Sequence, residues 1–168
     1  MKKFLLINIL LVSGLIHSED LKQKLKTDLD PLMEKVISWR HDIHEFPELG
    51  NREFRTSKKV AEHLSSLGIE IETEIAYTGV VGLIRGAKPG PTIALRADMD
   101  ALPVTEQTGL PYASIQRTEY LGQDVGVMHA CGHDAHVAIL MGVAEFLAKN
   151  RKELKGNIML IFLSLIHI

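Results

Sequence analysis

The chain has 168 residues, 46% of them hydrophobic, which suits one domain with a real core, or part of one, and is too short for two ordinary domains. Its formal net charge is -2, with 19 Lys and Arg set against 21 Asp and Glu and no long run of one sign, which argues against a nucleic-acid surface. The single cysteine, Cys131, excludes an internal disulfide, so its thiol is free, paired with another chain or bound to something.

Along the chain, Lys2 and Lys3 precede the apolar stretch FLLINILLV, followed by Ser13, Gly14 and a cleavage point after Ser18. That order predicts a secretory signal over residues 1–18, the alternatives being a membrane anchor or a buried first helix. The apolar run stops well short of the ~20 residues that span a bilayer. The expectation is export, to a periplasm, the extracellular space or an endoplasmic-reticulum lumen, with no membrane contact once the signal is removed.

Asp30 and Pro31 read as a helix start, and Leu32, Val36, Trp39 and Ile43 recur at helical spacing up to Pro47. A second helix is expected through Phe54, Lys58, Ala61 and Leu64, stopped by Gly68. Ile69 to Ile75, IEIETEI, alternates as a half-wet strand. Two further strands, VVGLIRG and TIALRADMD, flank a turn at AKPGP. Pro103 to Gly126 lacks a period and reads as a long loop, a kind of segment that is often functional. Val137, Leu140, Met141, Ala144 and Leu147 then mark an amphipathic helix, and KGNIMLIF a buried-type strand. Helices alternating with strands give an α/β fold.

Chemistry concentrates in MHACGHDAH, Met128 to His136. If that segment is extended, His129, Cys131 and His133 point to one side, where imidazole and thiolate can meet a metal. A helix follows, with Asp134 as a possible N-cap and its N-terminus favouring the thiolate. The competing reading is a polar turn with a buried free cysteine. In RADMDALP, Asp98 and Asp100 stand at the C-terminal end of a strand, where alternate positions bring both carboxylates to one crevice. They could equally cap the next turn or pair with Arg96. His41, His44 and His63 read as solvated or packing histidines rather than ligands.

WRHDIHEFPELGNREFRTSKKVAEHL, ALRADMDALPV and MHACGHDAHVAILMGVAEFL, in this order, resemble the metal-dependent amidohydrolases of the hippurate hydrolase, N-acyl-amino-acid amidohydrolase and indoleacetyl-amino-acid hydrolase group, over roughly Leu32 to Phe162. The resemblance implies the N-terminal part, residues 19–162, of a zinc-peptidase-like catalytic domain of the aminopeptidase and carboxypeptidase type, a mixed sheet flanked by helices. It implies two divalent ions, manganese or zinc with cobalt or nickel as alternatives, a small N-acyl amino acid as substrate, and a homodimeric full-length parent. Cys131 and His133 match metal ligands, with Cys131 as the bridging thiolate. Asp100 falls where the superfamily has an aspartate supporting the metal centre, a catalytic position, and Asp98 where relatives often carry a metal-binding histidine. Asp98, His129, Asp134 and His136 are expected to hold the ligands in place.

In that group a Q-P-A-E-E segment follows the strand matching GNIMLIF, supplying a general base and a further ligand, whereas here LSLIHI follows and His167 matches nothing. Residues 163–168 thus read as a tail outside the family, and the chain as a truncated or frame-shifted copy, inactive alone, whose apolar run IMLIFLSLI is left unpaired. The alternative is a secreted, non-enzymatic metal-binding or interaction domain that keeps Cys131 and His133.

Overall fold

The structure is a computed structural model that describes Gln23 and residues 26–166. The expected signal and His167 lie outside the described residues. The chain divides into two units, Met1–Glu34 and Lys35–Ile168. Within the first, residues 26–34 are helical, so the helix is under way before the expected start at Asp30 and Pro31. Pro31 thus sits inside the helix, at the cost of one backbone hydrogen bond and a ring close to the preceding turn, and the leucines on either side of it are good helix formers.

The second unit opens with helical residues 35–45 (α1), which end ahead of Pro47 and bury Ile43 in the core with Trp39 packed against it. Glu48 then caps α2 (Phe54–Ser66) from outside the helix: its two carboxylate oxygens accept from the backbone N–H of Arg55 at 2.9 Å and of Thr56 at 2.8 Å. The buried stripe of α2 is Thr56, Val60 and Leu64, of which only Leu64 was in the expected stripe, and Phe54 is 67% exposed. The stop at Gly68 is as expected, in a left-handed conformation with φ 65°.

β1 (Glu70–Ile75), β2 (Gly79–Arg85), β3 (Lys88–Asp98) and β6 (Lys155–Leu163) form one mixed sheet in the order β1-β2-β6-β3. β6 runs antiparallel to β2 and parallel to β3. The expected unpaired final strand is therefore corrected: β6 is central, and the edge falls to β3. The register sets Val80 beside Phe162, Gly82 beside Leu160 and Leu160 beside Leu95, so one face of the sheet carries the core. The opposite face is only half-buried, at Val81, Met159 and Ile161. The AKPGP turn shrinks to Gly86 and Ala87, because Lys88 to Pro91 already belong to β3 through a bulge. At that bulge a Cβ on Gly156 would overlap the carbonyl oxygen of Pro91, so only glycine fits there.

The expected loop after Pro103 ends sooner than its pattern suggests. β4 (Arg117–Tyr120) and β5 (Gln123–Gly126) pair as an antiparallel hairpin, too short and too polar to show a period. α3 (His133–Lys149) packs against α2, β3 and β6, burying Val137, Leu140, Met141 and Ala144 as its spacing predicts. α3 and β3 together place the site, because the first turn of α3 meets the C-terminal end of β3.

Candidate metal centre

Met128 exchanges two backbone hydrogen bonds with Leu102, each 3.0 Å, which ties the segment before the site to the residues just after β3. The chain then turns instead of staying extended. Gly132 takes φ 85°, and α3 starts at His133, so Gly132 rather than Asp134 is the N-cap. The turn separates the three residues expected to share a side: His129 and His133 are buried, and Cys131 is exposed.

His133 Nδ1 lies 2.8 Å from the backbone carbonyl oxygen of Asp100. A carbonyl only accepts, so Nδ1 carries the proton and Nε2 keeps its lone pair for a ligand. The Asp100 carboxylate is buried; its Oδ1 accepts from the Leu165 N–H at 2.6 Å and stands 3.5 Å from His133 Nδ1. Asp100 thus holds His133 in place. Asp98 presents its other oxygens differently: Oδ1 accepts from Arg96 Nε at 3.0 Å, and Oδ2 lies 3.6 Å from His136 Nδ1. Both aspartates flank His133, as alternate strand positions suggested.

His136 follows His133 by three residues on the same helix face, with ring centroids 5.2 Å apart. Asp98, His133 and His136 each offer one donor atom, all within 4.8 Å of one another. Two imidazoles and a carboxylate are a donor set suited to a divalent first-row ion, so these residues fit the metal that the sequence implies.

Behind this cluster is a network that the sequence did not reveal. Asp134 is turned away from the cluster, its Oδ2 accepting from Arg40 Nε and His44 Nδ1, each at 2.8 Å. His44 Nε2 faces Glu106 Oε1 at 3.1 Å, and Glu106 Oε2 accepts from the Ser114 N–H at 2.6 Å. His44, read as a packing residue, is in fact a buried link between α1, the loop and α3. His41 stacks on Tyr112 at 3.7 Å, and His63 bonds the Met141 carbonyl while meeting Trp39 edge-on. The signal available for His44 was its place one residue after the buried Ile43, four residues beyond Arg40.

Burial alone would raise the Asp134 carboxyl, but the hydrogen bond from His44, the charge of His129, the Ala135 N–H and Arg40 together hold it below the usual carboxylate range. Glu106 is likewise lowered against its burial, by Thr108, the Ser114 N–H and His44. His129 is pushed down to about 4, by burial and by the charges of His44 and His133, with Asp134 and Asp100 opposing. Neither of its ring nitrogens has a partner among the described residues.

The profile of peptidase family M20/M25/M40 matches residues 94–164, a span that runs from the C-terminal half of β3 through the site to the end of β6. Thermostable carboxypeptidase 1 of Saccharolobus solfataricus is 52% identical over 144 residues, covering 85% of this chain and 35% of that protein. IAA-amino acid hydrolase ILR1-like 5 of Arabidopsis thaliana is 40% identical, covering 95% of this chain and 36% of that protein. Among solved structures, the Bacillus subtilis YXEP protein, described as a dinuclear metal-binding peptidase from the M20 family, is 44% identical with a TM-score of 0.70, over 79% of this chain and 35% of that one. The chain spans about a third of the length of these relatives.

Proposed function

We propose, for a chain that carries part of a peptidase M20 domain, that it supplies the metal-binding strand end and helix start of a hydrolase cleaving the amide bond between an acyl group and an amino acid. The observation that carries this reading is the pose of His133, buried, with Nδ1 spent on the Asp100 carbonyl and Nε2 left for a ligand, inside the span that matches the family. In this reading Cys131 and His133 are ligands from this chain to a pair of divalent ions, manganese or zinc, with cobalt or nickel as substitutes. Such ions supply a water of lowered pKa and polarise the scissile carbonyl. Asp100 fixes the tautomer and direction of His133, and the network around Asp134 keeps the first turn of α3 in place.

Among the described residues no glutamate joins Asp98, His133 and His136, so nothing there is placed to carry the proton from water to the leaving amine. These 168 residues alone are therefore expected to bind metal and to turn over an N-acyl amino acid no faster than background. Purified chain loaded with manganese, zinc or cobalt and given hippurate or an N-acetyl amino acid tests this. Amino-acid release above that of a Cys131→Ala control overturns the inactivity, and failure of the wild type to retain any metal overturns the reading as a whole. Export through residues 1–18 belongs to the same reading, and N-terminal sequencing of the cell-expressed protein tests it: a retained Met1 overturns it.

A further inference from the structure

Resting on the reading that the chain is one part of an M20 hydrolase, we propose that the free edge of β3, from Thr92 to Asp98, is a seam. On it the complementary part of such a hydrolase docks, as a parallel β-strand that extends the sheet. The two edges of the sheet, β1 and β3, are built differently. β1 carries exposed Glu70, Glu72 and Glu74, its register breaks between Glu72 and Ile75, and Glu74 takes φ 61°, all devices that keep a further strand away. Past Pro91, β3 has none of them. Thr92 to Leu95 are uncharged and read like a strand covered on both faces, as strands of parallel sheets are, yet Thr92, Ile93 and Ala94 are exposed, Ile93 by 54%. The charges further along, Arg96 and Asp98, are turned to each other at 3.0 Å and do not bar the edge. Among the described residues nothing pairs with β3 on the side away from β6.

The candidate site decides the occupant. Asp98, the last residue of β3, belongs to the cluster with His133 and His136, which no glutamate joins among the described residues. A second copy of this chain would bring the same residues again and still no glutamate. The chain spans about a third of the length of its relatives, so a complementary polypeptide of M20 type has further strands to offer. Laid parallel to β3, such a strand ends beside Asp98. The segment leaving its C-terminal end then falls at the crevice where sheets of this kind hold their ligand-binding groups. Strand addition draws its affinity from backbone hydrogen bonds and its selectivity from the flanking side chains, here the apolar Ile93 and Ala94.

The test co-expresses the full chain with the tagged part of thermostable carboxypeptidase 1 that its match leaves uncovered, and follows the pair by sedimentation, amide hydrogen exchange and metal content. A 1:1 complex is expected, with exchange slowed at least ~10-fold within Thr92 to Asp98 and unchanged in β1. Ile93→Lys combined with Ala94→Lys, both at exposed positions, should weaken the complex at least ~10-fold, whereas Glu72→Lys on the β1 edge should leave it as it is. No complex with the wild type, or a complex that the two β3 lysines leave intact, overturns the proposal. Protection that appears in β1 and not in β3 does the same, and this wild-type pattern decides even where a variant fails to fold. Metal content separates the seam from the metal centre. A lone chain that holds manganese or zinc but takes no partner overturns the seam alone, and a complex that holds no metal supports the seam and overturns the metal centre.

Discussion

His44 Nδ1 stands 2.8 Å from Asp134 Oδ2, joining α1 to the first turn of α3 across 90 residues of chain. With Glu106 on its other nitrogen, the ring links two buried carboxylates whose own protons are held off by that contact. The first turn of α3 is thereby fixed from behind the candidate site, by residues outside the Asp98, His133 and His136 cluster.

Replacing His44 with leucine leaves Asp134 with Arg40 and the Ala135 N–H, and Glu106 with one hydrogen-bonding side chain fewer, both in buried positions. We expect a loss of about 2–4 kcal/mol in urea unfolding, because each buried carboxylate loses a charged hydrogen-bond donor that nothing replaces. The double variant His44→Leu, Asp134→Asn should recover part of the loss, and no recovery would show that the contact is incidental.

Stability should fall with acid in two stages. His129 has a folded pKa lowered from 6.5 to about 4, so the unfolded chain takes up the proton first, and stability drains away from pH 6.5 towards 4, by on the order of 3 kcal/mol. His63, lowered chiefly by burial, adds in the same direction. Asp134 and Glu106 are held below their ordinary values, so their contribution is intact above the unfolded carboxylate pKa and is lost only below about pH 4. Unfolding midpoints from pH 8 to 3 measure this, and His129→Gln should flatten the upper stage alone. An unchanged upper stage in that variant would refute the assignment to His129.

Two glycines make opposite demands. At Gly132, φ is 85° and nothing lies near an added Cβ, so Gly132→Ala should cost only the backbone penalty, about 1 kcal/mol, and Gly132→Asn less. At Gly156 the added atom would overlap Pro91, so Gly156→Ala should cost more than about 3 kcal/mol. Equal losses at the two positions in denaturant melts would contradict the geometry.

Among the described residues β3 presents an unpaired edge and an Ile93 that is 54% exposed, with Pro89 and Pro91 guarding only its start. Concentration-dependent association is expected by sedimentation, and Ile93→Lys should reduce it. A wild type that stays monodisperse at high concentration would rule this edge out as an association site.

The sequence carried those parts of the structure that rest on local pattern. Val137 to Ala144 show the buried stripe of α3 because their neighbours in sequence are their neighbours on one helix face. The apolar run of β6 announced a covered strand but not its cover, since β2 and β3 come from 65 or more positions earlier in its register. α2 misled because Thr56 is buried beneath an exposed Phe54, a choice made by the sheet it packs on. At the site, the pairing of Asp98 and Asp100 around His133 was legible from strand alternation. The separation of Cys131 from His133 was not, because it depends on the φ of Gly132. Nor was the contact of His44 with Glu106, 62 residues apart, which no periodicity records.

The place of β6 also sets an order of events. It lies between β2 and β3, yet it follows every other strand in the chain, so a growing polypeptide holds a β1–β2 hairpin and a lone β3 until residues 155–163 emerge. Only then can Asp98 be brought to its final register beside Leu163, and Asp100 receive the Leu165 N–H. Closure of the end of the sheet that carries the candidate site therefore waits on residues 155–165, and a ribosome that stalls before codon 155 leaves two pieces of sheet with nothing to join them.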